Sequence, residues 1–180
     1  MIRPSWDHYF MLIAKLVSTR STCNSRPTGA VIVDENHHII STGYNGALPG
    51  HDQCSDLGEN YCFRREIGGK DSDKYNVCKS NHSEANALAN AERSVRGCSL
   101  YVTLSPCYVC FKLLAAAGIR KIFYEHSYKS IDKERDEFWD KAIRDSDIEV
   151  YQQITIPEEV YKLVERNVFG TTSERRMKSK

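Results

Sequence analysis

From His82 onward, short apolar strands alternate with helical segments, and this alternation restricts the possible fold more than any other feature of the chain. His82 to Arg93 is Ala-rich and helical, and Cys98 to Thr103 (CSLYVT) reads as a strand. Cys107 to Ala117 reads as a helix closed by Gly118, a residue suited to a left-handed C-terminal cap. Lys121 to Glu125 (KIFYE) is a strand, Asp132 to Asp145 a polar helix, and Ile148 to Gln153 a last strand. Pro157 then opens a helix reaching about Phe169. Strands joined through helices run parallel and need both sheet faces covered.

The beginning of the chain adds a different unit. Apolar residues at Trp6, Tyr9, Phe10, Ile13, Leu16 and Val17 mark one face of an amphipathic helix, with Pro4 and Ser5 at its start. Thr28 to Asp34 and His38 to Gly43 read as two strands joined by the polar turn Glu35-Asn36-His37, an antiparallel hairpin. The element order is therefore α-β-β-α-β-α-β-α-β-α, which predicts a central mixed five-stranded sheet between helical layers. Between hairpin and alternation lies Tyr44 to Asn81, rich in Gly, Asn, Asp and charge and without clear period. A structureless stretch of that length is uncommon in a compact domain unless something organises it.

With 180 residues, the chain fits one domain, large enough to fold around its own core. Residues 1–170 are expected to form a single catalytic domain and 171–180 a disordered basic tail. Lys+Arg number 25 and Asp+Glu 24, a net charge of +1 that argues against a polybasic binder of polymeric nucleic acid. No apolar run is long enough to span a bilayer and the first residues lack a signal-peptide core, so a cytoplasmic protein without membrane attachment is expected. The seven cysteines are odd in number. In a reducing compartment they point to metal ligation, catalysis or burial and away from a disulfide framework.

Two motifs carry the chemistry: His82-Ser83-Glu84 and Pro106-Cys107-Tyr108-Val109-Cys110, each at the start of a predicted helix. Spacing of i, i+3 puts Cys107 and Cys110 on one helical face, and Pro106 suits the helix entry. His82, Cys107 and Cys110 fill three corners of a zinc tetrahedron and leave the fourth for water, as a catalytic zinc requires. Helix N-termini favour thiolates as well. Glu84 is placed to take a proton from zinc-activated water and return it to a substrate nitrogen and a leaving amine, which is hydrolytic deamination of an amidine-like ring carbon. A structural zinc in a silent binding module would have no need of Glu84. H-x-E alone is weak and C-x-x-C alone could be redox, but H-x-E followed by P-C-x-x-C is the zinc deaminase signature.

On these motifs, together with Thr28-Gly29-Ala30-Val31-Ile32-Val33 and Thr42-Gly43-Tyr44-Asn45-Gly46, the stretch from Trp6 to Val150 resembles the cytidine deaminase superfamily. Within it, the chain resembles the deoxycytidylate (dCMP) deaminases of bacterial and phage type. The family commonly has Val at Thr28 and His-Ala-Glu at His82-Ser83-Glu84; both changes keep the role of the position. The resemblance implies the three-layer α/β/α cytidine-deaminase-like fold. It implies zinc-dependent conversion of dCMP to dUMP with release of ammonia, supplying thymidylate synthesis, in the cytoplasm or in a host's cytoplasm if phage-encoded. Activation by dCTP, inhibition by dTTP, Mg2+ accompanying such a triphosphate effector, and a homo-oligomer, a hexamer, follow from the same resemblance. Deaminases of dCTP or cytidine are the nearest alternatives, and a tRNA adenosine deaminase a more distant one.

The resemblance also implies site residues. Arg26 matches the substrate-site Arg and is expected to hold the 5′-phosphate. Asn45 matches the Asn that meets the deoxyribose, and Tyr128 a Tyr near base or phosphate. Arg64 and Arg65 are further phosphate candidates, though paired exposed arginines are more often a solvated face. Tyr44, Asn45, Gly46 and Lys129 are expected at the effector site. The family often has Pro two residues after the second Gly of this loop, whereas Leu48-Pro49 stands here, so the loop that serves the effector differs in shape. Of the remaining cysteines, Cys98 starts an apolar strand and reads as core. Cys23, Cys54, Cys62 and Cys78 flank or lie in the aperiodic segment, and four thiolates would close a structural zinc tetrahedron. Relatives of the bacterial and phage group carry a second zinc with ligands from these regions; the match is cleanest for Cys23 and Cys54, with His51 an alternative for one of the others.

Overall fold

The computed structural model describes residues 3–69, 77–128 and 133–169. Lys129 and the tail 171–180 lie outside the described residues.

Helix α1 (Trp6–Ser18) starts where the Ser5 side chain accepts from the His8 N–H at 3.2 Å, and it buries Phe10, Met11 and Ala14. Strands β1 (Gly29–Val33) and β2 (Ile39–Tyr44) form the antiparallel hairpin. β1 is buried along its whole length because it lies inside the sheet, antiparallel also to β5 (Ser99–Leu104). β5, β6 (Lys121–His126) and β7 (Val150–Gln153) run parallel, giving the order β2-β1-β5-β6-β7. The mixed five-stranded sheet is therefore as the sequence pattern predicts.

Alternation along β1 feeds two cores. Ala30 and Ile32 face a cluster with Leu100, Val102, Ile122 and the helix residues Ala87, Phe111 and Leu114. Val31 and Val33 face Phe10, Met11, Ala14, Tyr101, Phe123 and Val160. One helical layer thus holds α1 and α6 (Glu158–Val164), and the opposite layer holds α3 (Ser83–Ala89) and α4 (Tyr108–Ala117). Ile143 of α5 (Lys133–Arg144) packs on the α3–α4 side. Among the described residues, no helix is long and apolar enough to cross a membrane.

Three elements depart from the sequence expectation. Tyr44 to Asn81 carries its own small structure: β3 (Gly46–Ala47) pairs antiparallel with β4 (Ser80–Asn81), and a 3-10 turn (Cys54–Leu57) and the one-turn helix α2 (Phe63–Glu66) lie between. Two-residue strands this far apart leave no readable period. The helix expected over 82–93 stops at Ala89, where the Asn90 side chain donates to Thr42 O at 3.0 Å and its N–H closes on Asn86 O. The last helix ends at Val164 and continues as a π-helical turn, Glu165–Phe169.

Gly43 governs how α3 sits. A Cβ there would lie 2.3 Å from Ala87 N and 2.3 Å from Ser83 O, so the helix backbone rests directly on β2. The Ser41 hydroxyl donates to Ala87 O at 2.7 Å and locks the same contact. Gly43→Ala must push α3 away. Overpacking of this kind costs roughly 1–3 kcal/mol. The expected outcome is a Tm lowered by roughly 2–12 °C, given about 2–4 °C per kcal/mol for a chain of this length. Thermal unfolding followed by circular dichroism measures it; an unchanged Tm contradicts the contact.

Candidate metal centre and active site

α3 and α4 begin at one point. His82 is the N-cap of α3, Cys107 is the N-cap of α4, and Cys110 lies in the first turn of α4. His82 Nδ1 is 3.5 Å from Cys107 Sγ and 3.4 Å from Cys110 Sγ. The three donor atoms all lie within 4.8 Å of one another, with both cysteines buried. The thiols share a proton: a hydrogen bond from Cys110, with His82 beside it, holds Cys107 low, and Cys110 is pushed up in turn.

Glu84, in the first turn of α3, is 5% exposed. Burial pushes its carboxyl up; the His82 ring opposes this and Cys107 adds to it. Its Oε2 accepts from the fully buried Ser83 hydroxyl at 3.0 Å. A carboxylate so placed is shielded from bulk water and faces the metal-type donors, as a proton carrier needs.

A second group of candidate residues lies along the same sheet edge. Because β1 is antiparallel to β2 and β5, the residues before β1 and after β2 meet those after β5. Asn45, 8% exposed, accepts through Oδ1 from Ser21 Oγ (2.6 Å) and Thr28 N (2.8 Å) and donates from Nδ2 to Arg26 O (2.8 Å). The Arg26 guanidinium lies over the Tyr128 ring, 5.4 Å from its centroid. Arg26 and Tyr128 line a mostly apolar groove of about 910 Å³ between α1 and α6, which none of His82, Glu84, Cys107 or Cys110 lines.

Residues 4–126 match the family described as the cytidine and deoxycytidylate deaminase zinc-binding region. The deoxycytidylate deaminase of Mycobacterium phage D29 is 41% identical over 130 residues, covering 69% of this chain and 97% of the phage protein. That of Schizosaccharomyces pombe is 39% identical over 128 residues, covering 70% of this chain but 38% of the yeast protein. The crystal structure of the cyanophage S-TIM5 dCMP deaminase in complex with dCMP and dUMP superposes with a TM-score of 0.63 at 28% identity, covering 84% of this chain and 99% of that one.

The chain belongs to the cytidine and deoxycytidylate deaminase family.

For a deaminase of this family the donor set fits zinc. Tetrahedral Zn–S and Zn–N bonds of about 2.3 and 2.0–2.1 Å place N and S about 3.6 Å apart, close to the distances from His82 to both sulfurs. His82, Cys107 and Cys110 would hold the ion, and three protein ligands leave one corner open.

Other candidates of the deaminase site fall into two groups. Tyr44 ends β2 and is exposed, and Gly46 opens β3 against the Thr22 side chain. Cys23, Cys54, Cys62 and Cys78 belong to a separate region. Asn24 Nδ2 donates to Cys54 O, Gly58 O and Tyr61 O, which ties the residue after Cys23 to Cys54 and to the residue before Cys62. Burial pushes the Cys78 thiol up, and Cys23, Cys62 and Cys54 are near enough to add to that. Among the described residues, these sulfurs are not drawn as close together as the His82 group. Arg65 faces Cys62, away from a phosphate role at Arg26, and His51 is exposed.

The sequence reading missed Ser83 as a partner of Glu84. Ser in place of the commoner Ala between His82 and Glu84 was the visible signal.

Removing a ligand and removing the carboxylate should separate cleanly. His82→Ala or Cys107→Ala is expected to lose the zinc bound at this centre, whereas Glu84→Gln retains it. Metal analysis of the purified variants decides; loss of that zinc in Glu84→Gln would make Glu84 a ligand.

Proposed function

We propose that this chain catalyses hydrolytic deamination of dCMP to dUMP with release of ammonia. The observation that carries this reading is a deaminase donor set and a buried carboxylate on the same sheet edge as an arginine suited to a phosphate. Relatives named deoxycytidylate deaminases, and a solved relative holding dCMP and dUMP, support that substrate. When bound, zinc supplies the acidification of water, lowering its pKa toward about 7. Glu84 takes one proton from the attacking water and passes it to the ring nitrogen beside the reacting carbon; it then takes the second from the hydroxyl newly bonded to that carbon and gives it to the amino group as the C–N bond breaks, leaving a carbonyl and ammonia. Its burial keeps that proton from exchanging with solvent during the sequence. Arg26 holds the 5′-phosphate, backed by Tyr128, while Asn45 fixes the loop that carries Arg26.

Glu84→Gln should lower turnover roughly 10²–10⁴-fold, the usual size of general acid–base loss. Ammonia release from dCMP measures it; wild-type turnover would overturn the role. Arg26→Ala should raise KM for dCMP roughly 10–150-fold, since a charged hydrogen bond is worth about 1.5–3 kcal/mol. Deoxycytidine lacks the phosphate and should not share that loss. Equal losses on both would make Arg26 structural. Parallel assays with dCTP and cytidine distinguish the neighbouring activities.

The same reading includes a second zinc held by Cys23, Cys54, Cys62 and Cys78. The Asn24 bonds and the mutual influence of the four thiols support it. A metal would supply ordering free energy to a segment with little regular structure. Metal analysis should find two zinc ions per chain, and Cys54→Ala should lose one while keeping the catalytic ion. One zinc per wild-type chain would refute this site. Control by dCTP and dTTP through Tyr44 to Gly46, and assembly into a homo-oligomer, extend the proposal. Kinetics with each triphosphate and sedimentation test them.

A further inference from the structure

Ser105 joins two parts of the site that the mechanism treats separately. It follows β5 directly and stands two residues before Cys107. It is 6% exposed, so each of its polar groups needs a partner inside the protein. Its N–H donates to His126 O at 2.8 Å. Its hydroxyl oxygen accepts from the Tyr128 N–H at 2.6 Å and reaches the Tyr151 hydroxyl on β7. A serine hydroxyl offers one donor and two lone pairs, enough for both contacts.

These bonds reach across 23 residues of sequence to hold the segment after β6. That segment presents the Tyr128 ring, over which the Arg26 guanidinium lies. The Asn45 amide holds the Arg26 backbone through its carbonyl. A continuous chain of contacts therefore runs from the Cys107 loop through Ser105 and Tyr128 to Arg26. Pro106 stiffens the single residue between Ser105 and the first metal-type sulfur.

We infer that Ser105 is a positioning residue for the phosphate end of the substrate. By holding Tyr128 beneath Arg26, it sets the span between the anion-binding corner and the His82–Cys107–Cys110 centre. Its side chain acts through Tyr128 and Tyr151, the partners its hydroxyl meets. The inference rests on the reading of Arg26 as the phosphate partner. A displaced Arg26 would still carry its charge but would meet the phosphate off-axis, so the effect belongs to dCMP binding.

The test is steady-state kinetics of Ser105→Ala with dCMP and deoxycytidine, with zinc content measured alongside. The ratio of kcat/KM for dCMP over deoxycytidine should fall roughly 3–10-fold, the size of one neutral hydrogen bond, and it should fall through KM. Zinc content should match the wild type. In an Arg26→Ala background, Ser105→Ala should change KM for dCMP by under about twofold, because the two residues act on one contact and their effects do not add. If Ser105→Ala does not fold, Ser105→Cys, of similar shape but a weaker hydrogen-bond partner, provides the same readouts. An unchanged ratio, a loss confined to kcat, or additive effects with Arg26→Ala would overturn the inference. Equal losses on both substrates from Arg26→Ala alone would instead overturn the phosphate reading beneath it.

Discussion

β1 pairs antiparallel with both β2 and β5, and the geometry of the site depends on that pairing. It sends the start of β1, the end of β2 and the end of β5 to one edge of the sheet. Arg26 and Thr28 arrive from before β1, Asn45 from after β2, and Ser105 and Cys107 from after β5. The parallel pairing of β5 with β6 adds His126 to Tyr128 at the same edge. Ligands in open α/β sheets sit outside the carboxyl ends of parallel strands, and here β2 ends at that place too while the antiparallel β1 begins there. A register slip between β1 and β5 would turn every inward residue outward and scatter these groups.

Against this frame, α3 and α4 are held so that their N-termini converge. Gly43 lets α3 lie on β2 without an intervening side chain, and Ala87, Phe111 and Leu114 share one core. Exposed N–H groups at both helix starts favour thiolate and other negative charge. Burial works the other way on Glu84, whose carboxyl holds its proton more tightly than an exposed one. A centre that stabilises thiolates yet keeps a carboxyl ready to carry a proton results from these opposed effects acting a few residues apart. On the far face of the sheet, Lys15 and Glu125 form an ion pair at 2.6 Å, and Tyr161 donates to Glu125 at 3.4 Å. Burial disfavours charge on Lys15, but its bonds to Glu125 and Tyr161 outweigh it, and the pair ties α1 and α6 to β6. That tie forms one wall of the groove into which Arg26 and Tyr128 open.

Most of the architecture was legible because its signals are local. The three- and four-residue spacing from Trp6 to Val17, the continuous apolar run of β1 and the Gly118 cap each act within a few residues, and each element formed where its pattern lies. The metal centre was legible for a similar reason: His82, Cys107 and Cys110 sit at the starts of their helices, and chemistry limits what such a donor set can do. The two-residue strands β3 and β4 were not, since their pairing rests on residues more than thirty positions apart and too few to show a period. The early end of α3 was hidden too, because it depends on Asn86 and Asn90 bonding to carbonyls of β2.

By itself, the sequence determined the order of the helices and strands outside Tyr44–Asn81, the zinc-type donor set and the carboxylate beside it. These follow from periodicity, capping and ligand chemistry, which act over short stretches of chain. Only the tertiary structure decided which distant segments meet. The Ser105 bond to Tyr128, the Arg26–Tyr128 contact, the hold of Asn45 on Arg26 and the approach of Cys78 to the other three cysteines all join distant segments. Such contacts follow from strand order and register, and no local pattern carries them, because a hydrogen bond to a backbone amide places no demand on the residue type that bears it.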